Sequence, residues 1–341
     1  MLLHTTAAVF SCPPNRNGPV GLTLKMTAKR YCTAESASNE EGFSLLFAHC
    51  IGSHKEQWEP VIEHTFCVQQ AKARHQRVRE AWTFDWQNHG DAATLNHELL
   101  VNTRQMGVSA YEWGEAIAAF AVTPDMRGKR MVAIGHSAGT GAMMMSMRDF
   151  PTPAIPYVSV VLIEPIIATR EIFYRHIADS TQTIVAAITM RRQRWRSRTE
   201  AYEWLKRRGP WKRWDARVLR IFVRYGLRDT SDGEVALKCD RRQEANAYPD
   251  VHPHFDAVDE IGRVCQSVPV HLVWANQSDF VPKIVQDSLS DVSEGRMVAS
   301  ITRLDGGHMI VQENPDRIAL AICDSLDAVG VDLQIRARSR L

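Results

Sequence analysis

The chain has 341 residues, 45% hydrophobic and 23% charged, with 41 Lys and Arg against 39 Asp and Glu for a formal net charge of +2. That length is generous for one domain and short for two, so one domain with a large insertion is expected, and the near-neutral balance gives no global bias toward nucleic acid. No apolar run nears the roughly 20 residues of a membrane-spanning helix, and the seven cysteines never fall in C-x-x-C spacing, which argues against zinc and a disulfide framework.

In chain order, the opening "MLLHTTAAVFSCPPNR" lacks a basic start and is too short in apolar residues for a secretory signal, so an intracellular chain with reduced thiols is expected. "VGLTLKMTAKRYCT" alternates apolar and polar residues and reads as an antiparallel strand pair. "SLLFAHCIG" is a continuous apolar run closed by glycine, the mark of a strand buried on both faces. "REAWTFDWQNHGDA" holds a short strand that stops at Asp85, and "YEWGEAIAAFAV" spaces Trp113, Ile117 and Phe120 as an amphipathic helix does. Strands follow in "MVAIG", "YVSVVLI", "VPVHLVWA" and "ASITRL", with a closing helix in "DRIALAICDSLDAV". Strands alternating with helices make the fold class α/β, a mostly parallel sheet covered on both faces.

The stretch "MVAIGHSAGTGAMMMSM" carries the first chemistry. In G-x-S-x-G, Gly135 and Gly139 lack the β-carbons that would collide at a sharp strand-to-helix turn, and such a turn holds Ser137 strained and exposed. Ligands in such sheets gather outside the carboxyl ends of the strands. There the strands end in His49 and Cys50, Asp85 and His89, Ser137, Glu164, Asp279 and His308.

These segments, taken in order, resemble the α/β-hydrolases: "FAHCIGSHKEQWEP" in the place of the His-Gly oxyanion segment, "FDWQNHGDA" for D-x-x-x-H-G-x-[SA], then "GHSAG", "VWANQSDFVP" for the acid loop and "DGGHMIVQENP" for the histidine loop. The match spans most of residues 20 to 330. Their wording is most similar to fungal peroxisomal hydrolases of secondary metabolism, of the AK-toxin cluster type and the mycophenolic-acid acyl-CoA hydrolase type. The resemblance implies a serine hydrolase without metal or cofactor.

A serine hydroxyl needs a base within hydrogen-bond reach and a carboxylate to orient that base. His308 is the base, in a glycine-flanked loop after the last strand, while His49 and His89 are expected to hydrogen-bond loops and His136 to point away. Two acids stay open: Asp279, where the wider family keeps its carboxylate, and Glu164, which resemblance to the fungal acyl-CoA hydrolases favours. The oxyanion donors are expected to be the amide of Ala138 and that of Cys50 or Ile51. Cys50 departs from the family, which has glycine there, and it also invites a weaker reading as a thiol nucleophile.

The interval between "EPII" and "VPVHLVWA" is too long for one crossover helix. The expected division is a core of 20–167 and 259–331, an inserted cap of 168–258, and a tail of 332–341. Residues 191–230 hold fourteen Lys and Arg against four acids, interleaved with Trp195, Trp204, Trp211 and Trp214. A solvated helical face explains most such runs. Arginine also suits phosphate and stacks on flat rings, and coenzyme A carries phosphates and an adenine. The chain ends "IRARSRL"; Ser339, Arg340 and Leu341 vary the S-K-L peroxisomal address on a basic, unstructured tail. The expected partners are a small-molecule acyl ester or acyl-CoA and the peroxisomal import receptor, with no nucleic acid and no membrane span, and a homodimer stays open. The competing readings are a general carboxylesterase or lipase and, in a different class, a non-catalytic or RNA-binding protein built on a hydrolase scaffold.

Overall fold

The computed structural model describes residues 2–14 and 23–338, with side chains to 329. Its strands, in chain order, are β1 His4–Ser11, β2 Lys25–Cys32, β3 Phe43–Ala48, β4 Val78–Phe84, β5 Arg130–His136, β6 Tyr157–Ile163, β7 Arg194–Trp195, β8 Leu227–Asp229, β9 Val235–Leu237, β10 Val270–Ala275 and β11 Ser300–Leu304. Eight of them form one sheet in the order β1-β2-β4-β3-β5-β6-β10-β11. β1 and β2 are antiparallel, β2 runs antiparallel to β4, and the rest pair in parallel.

The central strands are apolar because both faces are covered: every residue of β3 and β10 is buried. One face packs under helices Ala110–Ala121, Ala138–Met145 and His252–Val264, the other under Glu59–Gln69 and Pro315–Arg338. The expected helix at "YEWGEAIAAFAV" buries Trp113, Ile117 and Phe120, and starts at a Ser109 capping box.

Three expectations are corrected. The "VGLTLKMTAKRYCT" stretch is not a strand pair; its described part is the single strand β2, whose partner β1 lies in the opening segment read only for a signal. The sheet therefore starts before residue 20. Helix His252–Val264 packs Ala257, Val258, Ile261 and Val264 into the main core, so the core resumes before residue 259. The closing helix runs to Arg338, through most of the tail expected to be unstructured, while Ser339, Arg340 and Leu341 lie outside the described residues.

Between β6 and helix His252–Val264 sit helices Arg170–His176 and Ala178–Met190 and a small unit around the antiparallel sheet β7-β9-β8. This unit has its own apolar cluster of Trp195, Leu205, Trp211, Trp214, Leu219 and Phe222. The tryptophans interleaved with the cations are thus mainly packing residues. No helix among the described residues is long and apolar enough to cross a membrane.

Candidate active site

The turn from β5 into helix Ala138–Met145 is as tight as its glycines require. A β-carbon at Gly139 would stand 2.4 Å from the Ala48 carbonyl oxygen, and one at Gly135 would stand 2.6 Å from that of Gly139. Ser137 sits between them at φ 53°, a left-handed conformation that non-glycine residues rarely adopt. Glu164, which follows β6 next to it, is the other described non-glycine residue at positive φ, at 48°. Two strained residues at the ends of adjacent strands point to a place where side-chain position matters more than backbone comfort.

The Ser137 hydroxyl donates to His308 Nε2 at 2.9 Å, and His308 Nδ1–H donates to Glu164 Oε2 at 3.1 Å. The other carboxylate oxygen accepts the Ala275 amide at 2.6 Å, which orients Glu164 from β10. Asp279 makes a different contact: its Oδ1 accepts the backbone amide of His308 at 2.8 Å, not a ring nitrogen. Both candidate acids therefore meet His308, one at the imidazole and one at the main chain.

Three other histidines support the site. His136 donates from Nε2 to the His308 carbonyl at 2.9 Å, and burial pushes its pKa down to about 3. His49 donates from Nδ1 to the Cys50 carbonyl and accepts the Trp86 amide, and burial lowers it to about 4. His89 accepts the Gly52 amide at 3.0 Å and burial holds its pKa well below the usual imidazole value. All three stay neutral near pH 7 and fix loops; this was expected of His49 and His89, whereas His136, expected only to point away, holds the main chain of His308.

The loop after β3 explains the cysteine that replaces glycine. The positive φ in this loop falls at Gly52 (76°), where a β-carbon would stand 2.7 Å from Glu244 Oε1, so the loop's glycine is displaced rather than missing. Cys50 is buried, its thiol pushed up to about 12 by desolvation, and its sulfur accepts from Gln312. That protonated thiol is a poor nucleophile. Ala138 opens its helix, where an amide has no intrahelical acceptor, and Cys50, Ile51 and Ser137 line the same cavity.

That cavity holds about 530 Å³ and is walled by Ile184 and Ile188 of the cap, by Trp204, Trp211 and Trp214, and by Phe280 beside His308. Arg191 and Arg208 also reach it. Arg191 is occupied by a two-pronged pair with Glu244, whereas Arg208 lies over the Trp204 ring at 4.3 Å and makes no ion pair among the described residues. Seven of the fourteen cations in residues 191–230 are paired among the described residues, several with acids outside that window. The charge excess read from the sequence is thus partly neutralised.

Sequence reasoning missed the polar anchor under the site. Lys55, buried in the loop after β3, bonds Asp85 Oδ2 at 2.8 Å and Asp91 Oδ2 at 2.6 Å. Asp91 also pairs with Lys238, just beyond β9 in the cap. Burial opposes both charges in the Lys55–Asp85 pair, but their mutual attraction prevails: the lysine is held above its ordinary range and the carboxyl below its own. In sequence this lysine, beside "HKE", is indistinguishable from a surface one.

A family-wide sequence model, the "Alpha/beta hydrolase family", matches residues 45–321, and the chain belongs to that family. Among solved structures it is similar to the peroxisomal alpha-beta-hydrolase Lpx1 of Saccharomyces cerevisiae, with TM-score 0.78, 16% identity, and coverage of 96% of this chain and 89% of that one. It is also similar to E-2-(acetamidomethylene)succinate hydrolase (TM-score 0.68, 16% identity, 95% and 100% covered). A third is the thioesterase domain from the curacin biosynthetic pathway (TM-score 0.61, 13% identity, 94% and 99% covered). At these identities the likeness is one of fold. No curated protein matches the chain in sequence.

Proposed function

We propose that the protein is a serine hydrolase of carboxylic esters or thioesters, with Ser137 as nucleophile, His308 as general base and Glu164 as the orienting acid. The observation that carries this reading is the continuous hydrogen-bond chain Ser137–His308–Glu164 at the floor of a mainly apolar cavity. As Ser137 Oγ attacks the acyl carbon, its proton passes to His308 Nε2. Glu164 holds the imidazole in the tautomer that can accept it and stabilises the imidazolium. The amides of Ala138 and of Cys50 or Ile51 receive the negative oxygen of the tetrahedral intermediate. Collapse expels the alcohol or thiol, protonated by His308. Water then attacks the acyl-enzyme, again giving its proton to His308, and the free acid leaves.

For the substrate we favour an acyl-CoA thioester, with the acyl chain in the apolar cavity and the phosphates near Arg208. Lys206 and Lys212 flank Arg208 in the same exposed turn and form no ion pair among the described residues. Ser339–Leu341 would address the enzyme to peroxisomes, and the likeness in fold to a peroxisomal hydrolase is compatible with that. A place in fungal secondary metabolism, such as toxin biosynthesis, rests on the wording of the motifs alone. A general carboxylesterase is the second reading, favoured by the apolar cavity walls. Hydrolysis of a panel of acyl-CoA and neutral ester substrates by the purified protein decides between them: preference for the thioesters supports the first, and activity on neutral esters alone supports the second.

A further inference from the structure

One arginine of the cap reaches the loop that carries His308. Arg213, in the short turn Trp211–Arg213, donates a hydrogen bond from Nη2 to Asp279 Oδ2 at 3.0 Å and forms an ion pair with Glu313, its Nε standing 2.8 Å from Oε1. Each of those carboxylates uses its second oxygen on the histidine loop: Asp279 Oδ1 accepts the His308 amide at 2.8 Å, and Glu313 Oε2 accepts the Gly307 amide at 3.1 Å. Gly307 leaves room for this arrangement, since a β-carbon there would stand 2.3 Å from Asp279 Oδ2 and 2.4 Å from Arg213 Nη2. Two residues on, the Asp215 amide donates to the Gln312 carbonyl at 2.8 Å, and Trp211 and Trp214 on either side line the cavity.

We infer that Arg213 is a positioning residue, a cap-borne clamp that sets the main chain of His308 through Asp279 and Glu313 and so couples cap docking to the base. The inference rests on the assignment of His308 as base. A guanidinium suits the task because its planar fork can serve two carboxylates at once, which an ammonium does less well. The contribution is geometric: half-exposed ion pairs add little to stability, whereas a small misplacement of a reacting group costs rate. It also gives Asp279 a structural role beside Glu164.

The charge of the clamp makes it testable. The ionisable groups facing His308 are Glu164 after β6, His136 in β5, Asp279 after β10, Glu313 on the following helix and, through the last two, Arg213. Removing the cation leaves Asp279 and Glu313 uncompensated, which favours the imidazolium. Arg213→Ala should therefore move the acid limb of the rate profile to higher pH. It should lower kcat on the order of 10- to 100-fold with little change in KM. Arg213→Lys keeps the charge, so the acid limb should stay at its wild-type position while kcat recovers only in part. Imidazole NMR of the full chain in the Ser137→Ala background reads the setting of the His308 ring without turnover: its resonances should move in Arg213→Ala, which tests the clamp even if another residue proves to be the nucleophile. Unmoved His308 resonances and acid limb in Arg213→Ala, or a kcat within twofold of wild type, overturn the inference.

Discussion

Glu164 and His308 meet through the ring: Oε2 of the acid accepts from Nδ1 at 3.1 Å, and the histidine's other nitrogen faces Ser137. Asp279, the rival acid, touches only the amide of the same histidine. The two carboxylates therefore differ in what their loss should do. Glu164→Gln should mis-set the imidazole tautomer and lower kcat by about 10⁴-fold. Asp279→Asn should cost far less, within about 100-fold. Side-by-side kinetics check this, and the reverse ranking would move the acid to Asp279.

That choice was not legible in the sequence, for a physical reason. Glu164 and Asp279 follow β6 and β10, neighbours in the sheet, so both carboxylates stand within reach of one loop. What separates them is the positive φ of Glu164 and the Ala275 amide that aims its side chain, neither of which has a signature in residue type. Ser137 and His308 were readable because glycines mark the close approach of backbones around the first and border the loop of the second. β1 went unread because an edge strand exposed along most of its length shows no alternation. The cap's charge was overstated because its partners, among them Glu244, Asp279 and Glu313, are distant in sequence.

The buried histidines predict an acid-labile fold. Burial lowers His49 and His254 to about 4 and His136 to about 3, so the unfolded chain binds protons that the native state excludes below about pH 6.5. Stability is fully present above that pH and is lost as the pH falls toward 4, each histidine adding a slope of about 1.4 kcal/mol per unit. Urea unfolding at pH 7.5, 6 and 5 should show a progressive drop; a flat profile would mean that these side chains are hydrated.

Lys55 is expected to be the most costly single charge to remove. Lys55→Met leaves Asp85 buried without its cation and should destabilise by about 3–5 kcal/mol. Adding Asp85→Asn removes the stranded charge and should recover part of the loss. Equilibrium denaturation of both variants tests this, and a loss under about 1 kcal/mol in the single variant contradicts a buried pair.

Arg208 separates the two substrate classes. If it holds phosphate, Arg208→Ala should raise KM several-fold for an acyl-CoA but leave a neutral ester of the same acid nearly unchanged. Added salt should likewise weaken only the thioester, by screening charge beyond about 8–10 Å. Equal responses of both substrates would return the cap cations to surface solvation and the enzyme to the esterases.

The central claim is that Ser137 is the nucleophile, and reaction of the purified protein with a fluorophosphonate probe tests it most directly. The account predicts one phosphonylated residue, Ser137, with loss of turnover in step with labelling, and a Ser137→Ala variant that stays folded, takes up no probe and hydrolyses its best substrate at least about 10³-fold more slowly. Labelling at another residue, or turnover by Ser137→Ala near the wild-type rate, would contradict it.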